Sequence, residues 1–557
     1  MLTKAGNRAS ELLPWAALCV LLAVECAPFW MLRFPSQDGP SHLHSVCILA
    51  DYGKQPIYRA YYEIHFSIAG NLLTQALSAG LYQLAGPLVA ERLLLTSYVI
   101  LLPLSVWYAL RPLTRHGFAF SLFAFLFLPN YFLHLGFWNF CLSIPLLFFT
   151  LGYWLRHRDR WTFGCVAIFA GLGFAIYLAH LLTWVLFAEG VVVLEAARWG
   201  ARYERGGVTS APEARAGDWK HGLGRSLFAL CTLIPPAFLT AAYAVTATTG
   251  AREALSPAGD TLRAHLWSVY SLSFLYTVSD SDHIFAKVIA GLMALMFLAA
   301  VGLRVWRARS LRISDSFLLL SVLYTAMAAL GPDAVGDGTY IRAREGLFAV
   351  LFLVVWLGAQ DWPRFVPGAC SALACALALC SLWARLPAYQ RWDSLISEFQ
   401  DAGRAIAPGS TILPLRTRAD RDRVQPLLHG IDLFAPRPFV DLANYEAATD
   451  HFTTRFRAER SPFDALGPRA GLLHSDVQAA FDIRRYETET RGCVDYVVLY
   501  QQPHLDRDAA PGTDWTDAYL AQLRDYQLVY VSEPRLNLRV YRRPADVHTS
   551  GCTAGTR

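Results

Sequence analysis

The stretch FPSQDGPSHLH, residues 34–44, directly follows an apolar run that begins near Leu12. About twenty apolar residues in a helix cross the hydrocarbon core of a bilayer, so this run is predicted to span a membrane. The prolines and the glycine of the stretch favour an extended, turn-rich loop. The sequence therefore places the carboxylate of Asp38 and the imidazoles of His42 and His44 where the chain leaves the membrane.

The composition of the whole chain is typical of a membrane protein. Its 557 residues are only 17% charged and its mean hydropathy is +0.31, whereas soluble domains carry about 25% charged residues. The first apolar run is too long for the apolar part of a signal peptide, so it is predicted to be a retained anchor helix. The net charge of +5 reflects arginines in short loops, and nucleic-acid binding is not predicted.

Lysine and arginine are concentrated in alternate loops, which predicts a cytoplasmic N-terminus and an extracytoplasmic C-terminus. Residues 33–89 then form the first outer loop. Within it, segment 63–86 is predicted to be an amphipathic helix on the outer membrane surface, because counting it as a span would place the basic cluster 156–160 outside. The eleven predicted spans are at about 12–32, 90–110, 117–134, 137–155, 162–179, 181–197, 226–246, 285–304, 314–331, 345–360 and 365–385.

Charged residues become more frequent and apolar runs shorter from about residue 386. CVDYVVLY (493–500) is predicted to be a strand, and YQLVYVSEPRLNLRVYRR (526–543) is predicted to be a hairpin around Pro534. The predicted fold is therefore a polytopic α-helical membrane domain, residues 1–385, followed by a soluble extracytoplasmic α/β domain, residues 386–557.

Asp38 and His42 are the candidate catalytic residues. A carboxylate held in a loop can take a proton from a hydroxyl group or bind a divalent metal ion beside a histidine, so both residues are also candidate ligands for Mg²⁺ or Mn²⁺. The alternative is that Asp38 caps a helix that begins in DGPSHLHSVCIL. The two roles are compatible, because a capping residue can also face a cavity.

The order of these features resembles the GT-C class of polyprenyl-phosphate-sugar glycosyltransferases. The resemblance covers the architecture of residues 1–385: an anchor span, an acidic loop with the pattern Asp38-Gly39-Pro40-Ser41-His42, an amphipathic segment and many further spans, with a soluble outer domain after them. It implies that Asp38 is the catalytic base or binds a metal ion. Many members carry a second acid adjacent to or soon after the first, whereas the next acid here is Asp51.

Cations are needed where a lipid-linked phosphate binds. In the resembled class an arginine of a late outer loop commonly contacts the donor phosphate, which points to Arg342 and Arg344. The planar guanidinium group suits this role because its N–H groups match phosphate oxygens. Alternatively, the two arginines pair with Asp333, Asp337 or Glu345, or extend to lipid headgroups.

Other candidate substrate-binding residues lie near the outer ends of spans. Glu25 either lines the donor cavity or forms a buried pair with Arg92, itself a candidate. His180 and His134 either approach the substrate or are hydrogen-bonded structural histidines. The sequence SDSDH (279–283) is either a metal site or the start of a helix.

The outer domain contains no known catalytic motif, and His429 and Asp432 are predicted to be solvated surface residues. The predicted function is transfer of a sugar from a polyprenyl-phosphate carrier to a glycan, lipid or protein acceptor at the outer face of a bacterial inner membrane. The alternatives are a non-catalytic scaffold of the same architecture for envelope assembly, and a transporter or flippase. Transporters commonly contain internal repeats, and no repeat is seen in this sequence.

Overall fold

The structure of the chain is a computed structural model. It describes the following residues: 2–64, 70–159, 161–206, 226–247, 262–307, 312–335, 338–416, 424–435, 437–442, 455–456, 483–484, 487, 492–500, 521–532 and 538–544.

Helices dominate the described residues between 2 and 402, because a helix satisfies the backbone N–H and C=O groups of an apolar segment within that segment. Four of the described helices are long and apolar enough to cross a membrane, and they begin at Pro87, Trp138, Asp282 and Val366. The prediction of eleven spans stays a prediction. The helices are α1 (Leu2–Met31), α2 (Gly39–Asp51), α3 (Pro56–Tyr61), α4 (Leu72–Ala85), α5 (Pro87–Leu110), α6 (Gly117–Ser121), α7 (Tyr131–Leu135), α8 (Trp138–His157), α9 (Phe163–Ala179), α10 (Leu181–Gly206), α11 (Ile234–Ala247), α12 (Leu262–Tyr270), α13 (Asp282–Trp306), α14 (Asp315–Leu330), α15 (Ile341–Gly358) and α16 (Val366–Ala402).

The predicted span 117–134 is not one continuous helix. It is divided into α6, a 3₁₀ helix at Leu122–Phe127, and α7. Asn130 explains the break, because its side chain accepts a hydrogen bond from the N–H of Leu133 at 3.0 Å and so caps α7. The side-chain amide of Asn130 also donates to the carbonyl oxygen of Phe127 at 2.9 Å.

Helix α4 lies within the segment predicted to be amphipathic, but its polar side faces the protein. Thr74, Gln75 and Ser78 are buried, whereas Leu77 and Leu84 are exposed. These positions follow the spacing of one helix face and its opposite. The apolar face of α4 is therefore the face turned away from the protein.

Five strands form one mixed sheet in the order β3-β2-β5-β7-β6. Strand β2 runs parallel to β3 and β5, and β7 runs antiparallel to β5 and β6. The predicted strand 493–500 contains β5, and the predicted hairpin contains β6 and β7, with its turn 533–537 outside the described residues. The strands are β2 (Ser410–Arg416), β3 (Phe439–Asp441), β5 (Tyr496–Tyr500), β6 (Gln527–Ser532) and β7 (Leu538–Arg542).

The sheet lies between the first outer loop and the end of α16. Side chains alternate between the two faces of a strand. Leu413 of β2 accordingly packs in one apolar cluster with Tyr58 and Tyr62 of the first outer loop. The neighbouring Ile412 packs in another cluster with Phe399 of α16. One face of the outer domain's sheet is thus covered by the first outer loop.

A strand pairing also joins the same two parts of the chain. In the first outer loop, β1 (Tyr62–Glu63) pairs antiparallel with β4 (Arg455–Phe456) of the outer domain. Helix α16 provides a third link, because its 37 residues continue past the predicted boundary at residue 386. Proline at position 387 lies inside this helix.

Candidate active site at the first outer loop

Asp38 is fixed by contacts of its own backbone. Its N–H donates to the carbonyl oxygen of Leu135 at 2.9 Å, and the N–H of Gln37 donates to that of His134 at 2.8 Å. Gly136 lies directly beneath, with a φ of +89°, and a Cβ atom there would be 2.4 Å from the backbone nitrogen of Gly39. The loop is therefore held against the turn between α7 and α8.

The side chain of Asp38 does not cap the helix that follows it. Asp38 occupies the N-cap position of α2, but its carboxylate makes no capping hydrogen bond. Instead Oδ1 lies 3.3 Å from Nε2 of His429, and the Asp38 side chain is 22% exposed. Within the described part of the chain, Oδ2 has no hydrogen-bond partner. This oxygen can therefore accept a hydrogen bond from a ligand.

Charge and burial act in opposite directions on His429. Burial alone would lower its pKa, but the hydrogen bond and charge of Asp38, with the charges of Asp432 and Asp441, outweigh it and raise the pKa of His429 above its usual value. Nε2 is the ring atom of His429 that faces Asp38. In His42, by contrast, burial dominates and lowers the pKa, although the charge of Asp38 opposes it.

His42 lies one helical turn after Asp38. Its backbone N–H donates to the carbonyl oxygen of Asp38 at 3.0 Å, and its ring is 6.3 Å from that of Trp138. The two predicted catalytic residues therefore share one face of the first turn of α2. The second acid, Asp51, lies at the far end of α2 and is bound to Lys54 at 2.8 Å.

His44 and Asp432 form a buried pair between the first outer loop and the outer domain. Nδ1 of His44 is 2.6 Å from Oδ1 of Asp432, and both side chains are at least 95% buried. Nε2 of His44 is 3.3 Å from the carbonyl oxygen of Phe439, and the two rings stack with centroids 4.2 Å apart. The expectation that Asp432 and His429 are solvated surface residues is wrong.

Two hollows flank α2. A groove of about 630 Å³ is lined by Arg33, Arg92 and Asp432, together with apolar side chains from the ends of α1 and α5. A cavity of about 520 Å³ lies on the other side, between His42, Trp138 and the polar face of α4. The cavity adjoins the segment that carries Asp38 through Trp138, whose ring packs against Gly39. The groove adjoins the same segment through Ser36 and Pro40.

Glu25 and Arg92 do not form the predicted ion pair. The guanidinium group of Arg92 lies over the ring of Trp30, 5.8 Å from its centroid. The cation whose charge acts on Glu25 is Arg385. Arg92 thus faces the groove without forming any of the ion pairs seen between described residues.

The two arginines of the late outer loop have different surroundings. Arg342 is bound to Asp333, with Nε 3.6 Å from Oδ1, and contacts His265. Arg344 is 92% buried, lies 5.1 Å from the ring centroid of Phe137, and its Nη1 is 3.3 Å from Nε2 of His180. Its Nε–H has no partner in the described part of the chain.

His180 is also held by Thr183, whose backbone N–H lies 3.3 Å from Nδ1. His134 is likewise a hydrogen-bonded buried histidine, with Nε2 3.0 Å from the hydroxyl oxygen of Tyr389. The predicted alternative of an ion pair with Asp333 is found for Arg342 and not for Arg344. Asp337 lies outside the described residues.

No metal site emerges from these side chains. Across the described residues, no group of three or more His, Cys, Asp or Glu side chains is arranged to hold a metal ion. In the segment 279–283, Asp282 is buried and its Oδ1 is 2.6 Å from Nε of Arg385, whereas Asp280 and His283 are exposed. Asp38 and His42, the candidate ligands from the sequence, therefore do not belong to such a group among the described residues.

Comparisons with solved structures identify the fold. The apo structure of ArnT from Cupriavidus metallidurans matches with a TM-score of 0.50 and 12% sequence identity, over 96% of this chain and 98% of that chain. The chain has the GT-C fold of a polytopic membrane protein with a C-terminal soluble domain. The structure of the same ArnT bound to undecaprenyl phosphate has a TM-score of 0.49 and 11% identity, over 97% and 98% of the two chains. No family model matches the chain, and no curated protein matches it.

Sequence reasoning placed Asp38 and His42 in the site and missed His429 and Asp432. These two residues are far in the chain from their partners in the first outer loop. Asp432, for example, is 388 residues from His44. One local signal was present, since a histidine and an acid flank a Gly-Ile pair in HGID (429–432). Nothing in that pattern alone indicates its partner.

Proposed function

We propose that this chain is an integral-membrane glycosyltransferase of a bacterial inner membrane. It moves a sugar from a polyprenyl-phosphate carrier to a hydroxyl group of an extracytoplasmic acceptor. The observation that carries the proposal is the carboxylate of Asp38, which occupies a helix N-cap without capping it and contacts His429 through Oδ1 alone. The GT-C fold of the apo ArnT structure supports the same reaction class.

In the proposed reaction, Asp38 is the general base. The acceptor hydroxyl gives its proton to Oδ2 of Asp38 while its oxygen attacks the anomeric carbon of the donor sugar. The bond between that carbon and the phosphate oxygen breaks, and its electron pair stays on the phosphate. This single displacement inverts the anomeric carbon and needs no covalent nucleophile from the protein.

Arg92 is the proposed cation for the donor phosphate. It shares the groove with the apolar side chains of Phe29, Leu32 and Leu95, and a phosphate on an isoprenoid chain requires this combination of charge and apolar surface. Arg344 is a second candidate, because its Nε–H is buried without a partner, and such a group is costly unless a ligand satisfies it. Arg342 is already bound to Asp333.

The test is sugar transfer by purified protein in nanodiscs from a panel of polyprenyl-phosphate sugars. Because a general base contributes roughly 10²- to 10⁴-fold to the rate, we expect Asp38→Asn to lose that factor while it still folds and binds donor. The matched control is Asp280→Asn, an exposed acid of the second outer loop, which should keep the native rate. Undiminished transfer by Asp38→Asn would remove Asp38 from the mechanism, and no transfer from any donor would favour the scaffold.

A further inference from the structure

We infer that the outer domain completes the active site, with His429 as a positioning residue that holds Oδ1 of Asp38 and leaves Oδ2 for the acceptor hydroxyl. The inference rests on the proposed function. It assigns the outer domain a part in the reaction itself.

The contact of His429 with Asp38 fixes the direction of the carboxylate. The backbone of Asp38 is held by Leu135, but this leaves rotation about the Cα–Cβ and Cβ–Cγ bonds. Nε2 of His429, 3.3 Å from Oδ1, is the side-chain contact that restricts these rotations. A reacting group held in one orientation reacts faster than one that samples several.

His429 is itself held by the packing of the residue that follows it. Gly430 begins a 3₁₀ helix, Gly430–Phe434, and a Cβ atom at Gly430 would be 2.8 Å from the ring of Phe399 in α16. The charged and titratable groups that act on His429 are Asp38 from the loop, His42 from α2, and Asp432 and Asp441 from the outer domain.

Two further contacts keep the outer domain against the loop. The buried pair of His44 with Asp432 lies on the C-terminal side of Asp38 in α2. On the N-terminal side, the N–H of Gln425 donates to Oε1 of Gln37 at 3.1 Å. Contacts between the loop and the outer domain therefore lie on both sides of the contact of His429 with Asp38. This arrangement indicates a docked interface and not an isolated surface contact.

The first experiment needs no substrate. Diethyl pyrocarbonate acylates free imidazole nitrogens, and mass spectrometry of the digested full-length protein gives the rate at each histidine. We expect Asp38→Ala and Asp38→Asn to raise the rate at His429 several-fold at pH 7, because Nε2 loses its carboxylate partner. Exposed His283 serves as the internal control and should not change. Equal rates at His429 in the native protein and both variants would overturn the contact.

The second experiment measures transfer with whichever donor the panel identifies. We expect His429→Ala to lower kcat about 10- to 100-fold, a part of the roughly 10²- to 10⁴-fold that a general base contributes, with little change in KM. His429→Gln, whose Nε2 can donate to Asp38 in the same place, should restore part of kcat. A purely structural role would not give this recovery.

The outcomes separate this inference from the proposed function. Full turnover in His429→Ala, together with loss of turnover in Asp38→Asn, would overturn the role of His429 and leave the glycosyltransferase intact. No transfer by the native protein would count against the proposed function, and the acylation rates would still decide whether His429 and Asp38 are coupled.

Discussion

Replacement of Asp432 by alanine should release the outer domain from the first outer loop. The side chains of His44 and Asp432 are 2.6 Å apart and 95% and 99% buried. Removal of one partner from a buried pair leaves the other polar group without compensation, which costs about 3–5 kcal/mol. Since about 1.4 kcal/mol is a tenfold change in an equilibrium constant, the undocked population should rise by roughly 150- to 4000-fold.

Native-state proteolysis at low protease concentration measures this population, because cleavage then follows the fraction of open molecules. Cleavage within the outer domain should become faster in Asp432→Ala, whereas cleavage in loops that connect α8 to α9 should keep its native rate. The double variant His44→Leu with Asp432→Leu should be much closer to the native protein than either single variant, because an apolar pair needs no hydrogen-bond partner.

The matched control is Arg404→Ala, which removes one partner of an ion pair with Asp401 in which the arginine side chain is 76% exposed. Surface substitutions of this kind usually change stability by less than about 0.5 kcal/mol. If Asp432→Ala and Arg404→Ala gave the same cleavage rates, the pair would not hold the domain in place, and our account of the docked arrangement would be refuted.

Two further variants test how the site is supported. Gly136→Ala should lower the melting temperature and abolish transfer, because a residue with a Cβ at positive φ costs about 1–2 kcal/mol and this Cβ would displace the backbone that carries Asp38. The control is Gly291→Ala, which places a Cβ in open space within a helix. An unchanged melting temperature of Gly136→Ala would contradict the geometry. Arg385→Leu should reduce stability by the several kcal/mol expected when buried Asp282 loses its cation. The measurement is the fraction of protein that aggregates after heating in detergent. The same aggregation curve for the variant and the native protein would show that the pair contributes little.

Local patterns in the sequence were sufficient for strands whose own residues alternate between apolar and polar. Strand β5 and the hairpin of β6 and β7 follow from alternating apolar residues separated by a turn. The break in segment 117–134 was missed because hydropathy averages over a window and does not register the capping side chain of Asn130. The inward polar face of α4 was missed because an amphipathic pattern does not say which side faces the protein.

The site could be predicted only in part, for a related physical reason. Asp38 stands out because a carboxylate beside prolines and a histidine is unusual at a membrane exit. His429 has no such context, and its role depends on packing of the sheet against both the first outer loop and α16. The neighbours of Glu25 and Arg92, which are Arg385 and the ring of Trp30, depend on helix packing that spacing does not encode.

The length of helix α16 also determines how the sheet is oriented about the helix axis. At about 1.5 Å per residue, its 37 residues extend roughly 55 Å, which is roughly 25 Å more than the thickness of a bilayer core of about 30 Å. One residue added to its last turns, next to the sheet, would turn the sheet by about 100° about the helix axis, and His429 would then point away from Asp38. A change in the length of this helix would therefore separate His429 from Asp38. We expect natural variation in length to occur in the loops and not in this helix.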